Sequence, residues 1–440
     1  MANPLGFDAL VQSFHDQLDH LPDTRRGKNI QFSIKDAALA AFAVFFTQSP
    51  SFLAHQRALR HTKGRSNAHA LFGISHIPCD NQIRNLLDPV PPQTLFPIFS
   101  SITHALTTAG VVDTFRDFDD TLLIALDGTQ YFSSQRISCP SCSQKTAASG
   151  SSTFSHCMIT PVIVAPGKSE VLSLEPEFIV PQDGHEKQDC EQEAAKRWVR
   201  TQAPMLPFSN VTVLGDDLFC HYPFCSLLIE HGWNFILVCK PDSHPKLSSW
   251  IDYLSKVEQL GSLTKRHWNG KFGEVWTYRF ATGVPLRGEK PPLMVNWCEV
   301  TIRHEKSGKQ LYHNAFATMH AVTAETVEGV VAAGRARWKV ENENNNVLKT
   351  KGYHLEHNFG HGKENLAAVM VTLNLLAFLF HTVFEVLDAK YQMLRATLGA
   401  RETFFGDLRT LTRYFVFESW EQLLTFMIEH LELRPPPNTT

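Results

Sequence analysis

The 440-residue chain is 43% hydrophobic and 19% charged, which excludes disorder on a large scale and leaves room for two or three domains with a sizeable core. Its net charge of -3 gives no global basic signature, so any binding of nucleic acid has to rest on local clusters. Nine cysteines, an odd number in a chain without an amino-terminal signal peptide, argue against a disulfide scaffold and for a reducing cytoplasm.

Residues 1–115 read as a helical amino-terminal domain. The run Lys35 to Phe46 is rich in alanine and apolar residues, and helical patterns recur at His55–Thr62 and Thr94–Thr108. Arg25, Arg26, Lys28, Arg57, Arg60, Lys63 and Arg65 concentrate positive charge there, with Ser66 and Asn67 in a position to contact phosphates. A helix cap is expected at Asp80 or Asn81, before a short helix that could enter a groove. Pro89, Pro91 and Pro92 then mark a break between helices.

From residue 116 to 243 the pattern changes to α/β. Thr121–Leu126 is a continuous apolar run that ends in Asp127 and the turn residue Gly128, with Thr129–Phe132 starting a second strand. A buried strand delivers a carboxylate to a sheet edge in this way. Val211–Gly215 repeats the design and ends in Asp216 and Asp217. Of the two, Asp216 is preferred as the site residue because it comes first after the strand. Asn234–Lys240 is a further buried strand.

Between the first two strands, Cys139 and Cys142 form a knuckle whose thiols can share one Zn²⁺, with His156, Cys157 and Cys190 as candidate partners. His156 and Cys157 are adjacent in an expected strand and point to opposite faces, so at most one of them joins a closed site. The acids Glu175, Glu177, Asp183, Glu186, Asp189, Glu191 and Glu193 read as mostly solvated, the later ones on an exposed helix.

Residues 244–312 alternate polar and apolar positions around Trp, Tyr and Val, which predicts a β-rich insertion. Residues 313–390 return to the α/β core, with a strand at His313–His320, Thr323 as a cap, and a helix that carries Gly334-Arg-Ala-Arg-Trp-Lys-Val-Glu-Asn342. At about 100° per residue, Arg337, Trp338, Asn344, Asn345 and Leu348 fall on the face of Glu341, whereas Glu343 is turned away. A cation beside an acid favours its charged form and can also hold a phosphate. His354, His357 and His361 read as polar packing or phosphate contacts more readily than as metal ligands. The run Leu366–Phe380 is short for a membrane span, carries Asn374 and is closed by His381, so a buried helix is expected and no membrane partner. Residues 391–440 complete the chain as carboxy-terminal helices and a proline-rich tail.

The order of these features resembles the DDE transposases of bacterial insertion sequences. The resemblance rests on Leu126-Asp-Gly-Thr129, Gly215-Asp-Asp-Leu-Phe219 and Arg337-Trp-Lys-Val-Glu-Asn342, and it covers roughly residues 120–385. It implies an α/β fold with an RNase H-like core, interrupted by the β-rich insertion before the last acid. It also implies that Asp127, Asp216 and Glu341 hold two Mg²⁺ ions for cleavage and strand transfer at transposon ends, with Arg337, Lys349 and Arg335 on the DNA and a homodimer assembled on it. Trp338 is expected to pack the helix onto the core rather than to stack on a base. The family's signature tyrosine position holds Gly334, and its lysine position holds Leu348, with Lys349 one residue late. A nuclease that does not join ends, or an inactive DNA-binding relic, are the alternatives.

Overall fold

A computed structural model describes residues 6–23, 25–26, 30–181, 190–288 and 290–434. The expectations for Lys28, Asp183, Glu186, Asp189 and most of the tail lie outside the described residues.

The amino-terminal part is helical: α1 (Phe7–Leu18), α2 (Ile34–Phe46), α3 (Phe52–Arg60), α4 (Thr62–Phe72), α5 (Asp80–Leu87) and α6 (Phe96–Thr108). Helix α2 starts where the Ser33 hydroxyl accepts from the Asp36 N–H at 2.9 Å. Nearly all of its residues are buried, which is why an Ala/Phe composition with little amphipathicity suits it. Helix α5 is capped by Cys79, one residue before the expected cap. Its Ile83 and Leu87 are buried, and it packs on α2. Asn67 is also internal: its amide donates to the carbonyls of Thr412 and Phe415, so it is committed to the fold and not to phosphates. Arg57, Arg60, Lys63 and Arg65 remain exposed on α3 and α4.

The chain continues through seven strands and a helix: β1 (Leu122–Ala125), β2 (Gly128–Ser134), β3 (Ser143–Thr146), β4 (Ser152–Ile159), β5 (Val162–Val164), β6 (Leu172–Ser173), β7 (Glu177–Ile179) and α7 (Glu191–Gln202). Next come β8 (Val211–Gly215), α8 (Tyr222–Glu230), β9 (Asn234–Val238), α9 (Pro245–Lys256), β10 (Gly261–Trp268), β11 (Gly273–Pro285), β12 (Met294–His304) and β13 (Gln310–Thr318). The chain ends in α10 (Val327–Ala336), a π-helical turn (Val340–Asn345), α11 (Asn346–Thr350), α12 (Leu366–Leu387), α13 (Ala389–Leu398), α14 (Arg401–Tyr414) and α15 (Trp420–His430).

One nine-stranded mixed sheet, in the order β10-β11-β12-β13-β9-β8-β1-β5-β6, forms the centre. Strands β8 and β9 run parallel to β1, while β5 is antiparallel to it and β6 to β5. Every residue of β1 and β8 is buried, so their continuous apolar runs belong to a sheet covered on both faces. Strands β2, β4, β3 and β7 form a second, smaller sheet.

The expected insertion differs in two ways. It begins with a helix, α9, and its strands β10–β12 continue the central sheet: β12 pairs with β13, the strand expected in the core, and β13 pairs with β9. The alternation around Trp276 and Trp297 reveals strands but carries no information about which strand they join.

Helix α12 is long and apolar enough to cross a membrane but is mostly buried inside the protein, packed on α2. Two of its polar side chains bond inside the protein: the Asn374 amide donates to the Tyr353 carbonyl at 2.9 Å, and His381 Nδ1 meets the Tyr353 hydroxyl at 2.7 Å. Asp88, just after α5, accepts from the N–H groups of Lys363, Glu364 and Leu366 and so caps this helix.

Helix α10 lies on the sheet so closely that a Cβ on Gly334 would stand 2.8 Å from the Phe316 ring and 2.9 Å from Ile236 Cγ2. This contact explains why glycine occupies a position where a tyrosine was expected. In an exposed helix Gly→Ala gains about 1 kcal/mol. Here the overpacking cost of about 1–3 kcal/mol outweighs that gain, and Gly334→Ala should lower the midpoint of a chemical denaturation curve.

Candidate active site and metal centre

The acidic site follows from strand register. Ala125 pairs with Leu214 across the parallel β1–β8 ladder, so Asp127 and Asp216, each two residues further on, leave the sheet side by side. Asp217 turns elsewhere: its carboxylate accepts from the Lys240 N–H at 2.7 Å and from the Ser243 hydroxyl. Asp216 is left with one local bond, from the Leu218 N–H at 3.0 Å.

Glu341 lies in the π-helical turn and pairs with Arg337. Glu343 lines a different cleft, beside Ser169, His354 and Arg401. The carboxyl of Asp127 is pushed up to about 7, first by burial, then by the charge of Glu341, against the opposing pull of Arg337; Glu191 and Asp216 add to the rise. Thus Asp127 feels the charges of Glu341 and Asp216 although both are far from it in sequence. Among the described residues they are not one of the sets whose ligand atoms all fall within 4.8 Å, and the ion pair with Arg337 occupies Glu341.

Asn345 completes this site. Its amide donates to Asp127 Oδ2 at 2.9 Å, while its own carbonyl accepts from the Thr160 hydroxyl at 2.9 Å and from the Asn344 amide at 3.0 Å. Asn344 in turn accepts from Ser173 at 3.2 Å. Both asparagines are buried, so a polar chain ties the π-turn to the ends of β1, β5 and β6. Asn344 and Asn345 do share the side of Glu341, but a π-turn provides this rather than a regular helix.

Glu191 is the acid that the sequence pattern leaves among solvated residues. It begins α7, with its carboxyl raised by burial and by Asp216, and a Cβ on Gly128 would lie 2.3 Å from its Cδ. The glycine after Asp127 therefore makes room for a fourth carboxylate. No spacing in the sequence separates Glu191 from the other acids of its segment.

The three expected DNA contacts already have partners. Arg337 is on Glu341, Lys349 meets Glu356 at 2.9 Å, and Arg335 lies against the rings of Trp276 and Tyr312 at 4.8 and 4.7 Å. Trp338 is 44% exposed, so it does not pack the helix onto the core as expected.

A second constellation is fully drawn. Cys139 and Cys142 Sγ are 3.8 Å apart, and each is 3.4 Å from His156 Nε2. His361 Nε2 lies 3.4 Å from Cys142 and 3.1 Å from His156 Nε2. A tetrahedral ion with bonds of about 2.3 Å to sulfur and about 2.0–2.1 Å to nitrogen would separate its ligands by about 3.8 Å (S to S), about 3.5 Å (S to N) and about 3.3 Å (N to N). The four side chains therefore fit a metal. Burial works against charge on Cys139, yet hydrogen bonds from His156 and His361 bring its thiol down to about 5.

Cys157 and Cys190 do not join this cluster. Cys157 points to the other face of β4, and Cys190 is exposed before α7. The fourth member of the cluster is His361, expected from the sequence to serve packing or phosphate contacts; it lies far along the chain, and only the tertiary fold brings it to the knuckle.

The Asp127 shift has a testable sign. Its folded pKa of about 7 exceeds the ~4 of an unfolded aspartate. Its ionisation therefore disfavours the metal-free fold, and the stability contributed by the neutral form is lost as pH rises to about 7. Without divalent ions, Asp127→Asn should raise the melting temperature at about pH 8 and change it little at about pH 4. Comparison with known protein families and with curated proteins finds no match to this chain.

Proposed function

We propose that this chain is a DDE-type transposase, an enzyme that cuts and joins DNA strands at the ends of an insertion sequence, on an RNase H-like core. The observation that carries the reading is the register that sends Asp127 and Asp216 side by side from the ends of two paired parallel strands, where Asp127, raised first by burial, also feels the charge of Glu341. The strand order β6-β5-β1-β8-β9, antiparallel on one side of β1 and parallel on the other, supports an RNase H-like core.

The donor set is all oxygen: three carboxylates, with Glu191 beside them and the Asn345 amide behind Asp127. This composition suits Mg²⁺ rather than a softer ion, and the rise of the Asp127 pKa under burial and neighbouring carboxylates fits a site that a cation would relieve. When bound, two Mg²⁺ ions supply activation of a water or 3′-hydroxyl and stabilisation of the leaving oxygen. Asp127, Asp216 and Glu341 serve as ligands. Asn345 holds one oxygen of Asp127, and so fixes the direction of the other. Arg337, once Glu341 takes up the metal, is released to hold a phosphate beside the cut.

DNA binding draws on Arg337, Lys349 and Arg335, with the exposed Arg57, Arg60, Lys63 and Arg65 as a second basic face. Trp338 has its ring open for stacking on a base. The protein works as a homodimer on transposon ends. Cys139, Cys142, His156 and His361 hold a structural Zn²⁺ that clips the smaller sheet to the segment following α11.

Glu341→Gln keeps the size and removes a charged ligand, so end binding should persist while cleavage in Mg²⁺ falls by orders of magnitude. Arg337→Ala should weaken end binding and lower the salt slope by about one. Wild-type cleavage by Glu341→Gln would rule the reading out, and cleavage without joined products in a strand-transfer assay would mark a nuclease instead. For the zinc, His361→Ala should lose one metal equivalent by elemental analysis, although it lies outside the knuckle.

A further inference from the structure

Immediately behind Asp216 lies a group of side chains that the reaction does not use. Cys220 follows β8, Cys239 follows β9, and His244 precedes α9. All three are buried, and their ligand atoms lie within 4.8 Å of one another. His244 is fully buried, yet neither ring nitrogen has a hydrogen-bond partner. A buried imidazole left this way forfeits about 1–3 kcal/mol for each unsatisfied group, and such an orphan in a native fold calls for a missing partner. Asp217 Oδ1 stands 3.3 Å from His244 Nε2, without forming a hydrogen bond to it. That separation is the edge expected of two ligands on one ion, about 3.3 Å for bonds of about 2.0–2.1 Å.

We propose that Cys220, Cys239 and His244, with Asp217 beside them, form a second metal site, for Zn²⁺ or a similar borderline-soft divalent cation. Two thiolates and an imidazole select such an ion over Mg²⁺. The alternative, a cluster of reduced core thiols, leaves both nitrogens of His244 unexplained.

The three ligands come from three segments: the loop after β8, the end of β9, and the start of α9. An ion there fixes the loop that presents Asp216, and it gives the adjacent acids separate work: Asp216 faces the acidic site, and Asp217 faces the thiols. This consequence rests on the proposed catalytic role of Asp216; the metal site itself does not.

The test uses the full chain purified under reducing conditions without chelator. Elemental analysis should give two zinc equivalents for the wild type and one for Cys139→Ser. After the zinc of Cys139→Ser is removed, cobalt titration should fill one site with a thiolate-to-cobalt charge-transfer band, and adding Cys239→Ser should abolish that band while circular dichroism shows a folded chain. A wild-type content of one equivalent, a Cys139→Ser chain without the band, or a band that survives Cys239→Ser would each overturn the proposal. Because Cys139→Ser leaves the second site intact, the decision does not depend on whether the Cys239 variant folds. Loss of DNA cleavage would not enter this result, so failure of the catalytic reading and failure of the metal site remain distinguishable.

Discussion

The structure depends on the parallel register between β1 and β8. Because Ala125 pairs with Leu214, both strands end at the same level, and the next residues with polar side chains are Asp127 and Asp216. The apolar strands that secure the register also desolvate the carboxyl groups at their ends. That desolvation is the largest cause of the shift at Asp127, so the site's electrostatics and the sheet's stability have one source. A one-residue slip would turn the side chains of β8 to the opposite faces and break the buried hydrogen bonds of Thr212 to Thr121 and His320.

The π-turn solves a second geometric problem. A regular helix of about 3.6 residues per turn would place Glu341 and Asn345 about 40° apart and let the two drift off the site face with every turn. Widening the coil over Val340–Asn345 lets Glu341 reach Arg337 while Asn345 reaches Asp127 and Asn344 reaches Ser173. Single π-turns often mark functional sites. Here the reason is visible: the buried asparagines pin the helix at the point where its exposed acid has to be held. Gly334 contributes about two turns earlier, by allowing the helix to approach the sheet.

The features legible in the sequence and those hidden from it divide along physical lines. Buried strands ending in an acid, the alanine-rich helix α2, and the apolar α12 follow from local composition, and they stand where the hydrophobic pattern puts them. The partner of a strand does not: β10–β13 carry a clear alternation, yet their attachment to β9 is a tertiary choice. The same distinction applies to side chains. Cys139, Cys142 and His156 are near neighbours in sequence and legible as a knuckle, whereas His361 comes from beyond the signature helix. Glu191 is hidden for another reason, since an acid on the first turn of a helix is ordinary and only the close approach of Gly128 gives it a special place. Trp338 departs from expectation because a tryptophan in a helix is usually core, and its exposure depends on which face the π-turn leaves open.

Charge and softness explain why a protein of this kind would keep its ions apart. Carboxylates and an amide surround Asp127, whereas thiols and imidazoles gather at two places flanking it: one in the smaller sheet that begins at Gly128, the other in the loop after Asp216. Hard oxygen donors bind Mg²⁺ weakly enough to exchange during a reaction, while closed thiolate sites retain zinc. Each soft cluster joins segments that are distant in sequence, His361 to the knuckle and His244 to the end of β8, and each lies next to a segment that carries an acid. On the proposed reading the exchangeable ions do the chemistry, and the tightly held ones stiffen the loops on either side. Stiffening matters most where like charges are brought together, because the carboxylates at Asp127 repel one another until a cation arrives, and a loop free to relax would relieve that repulsion by moving apart.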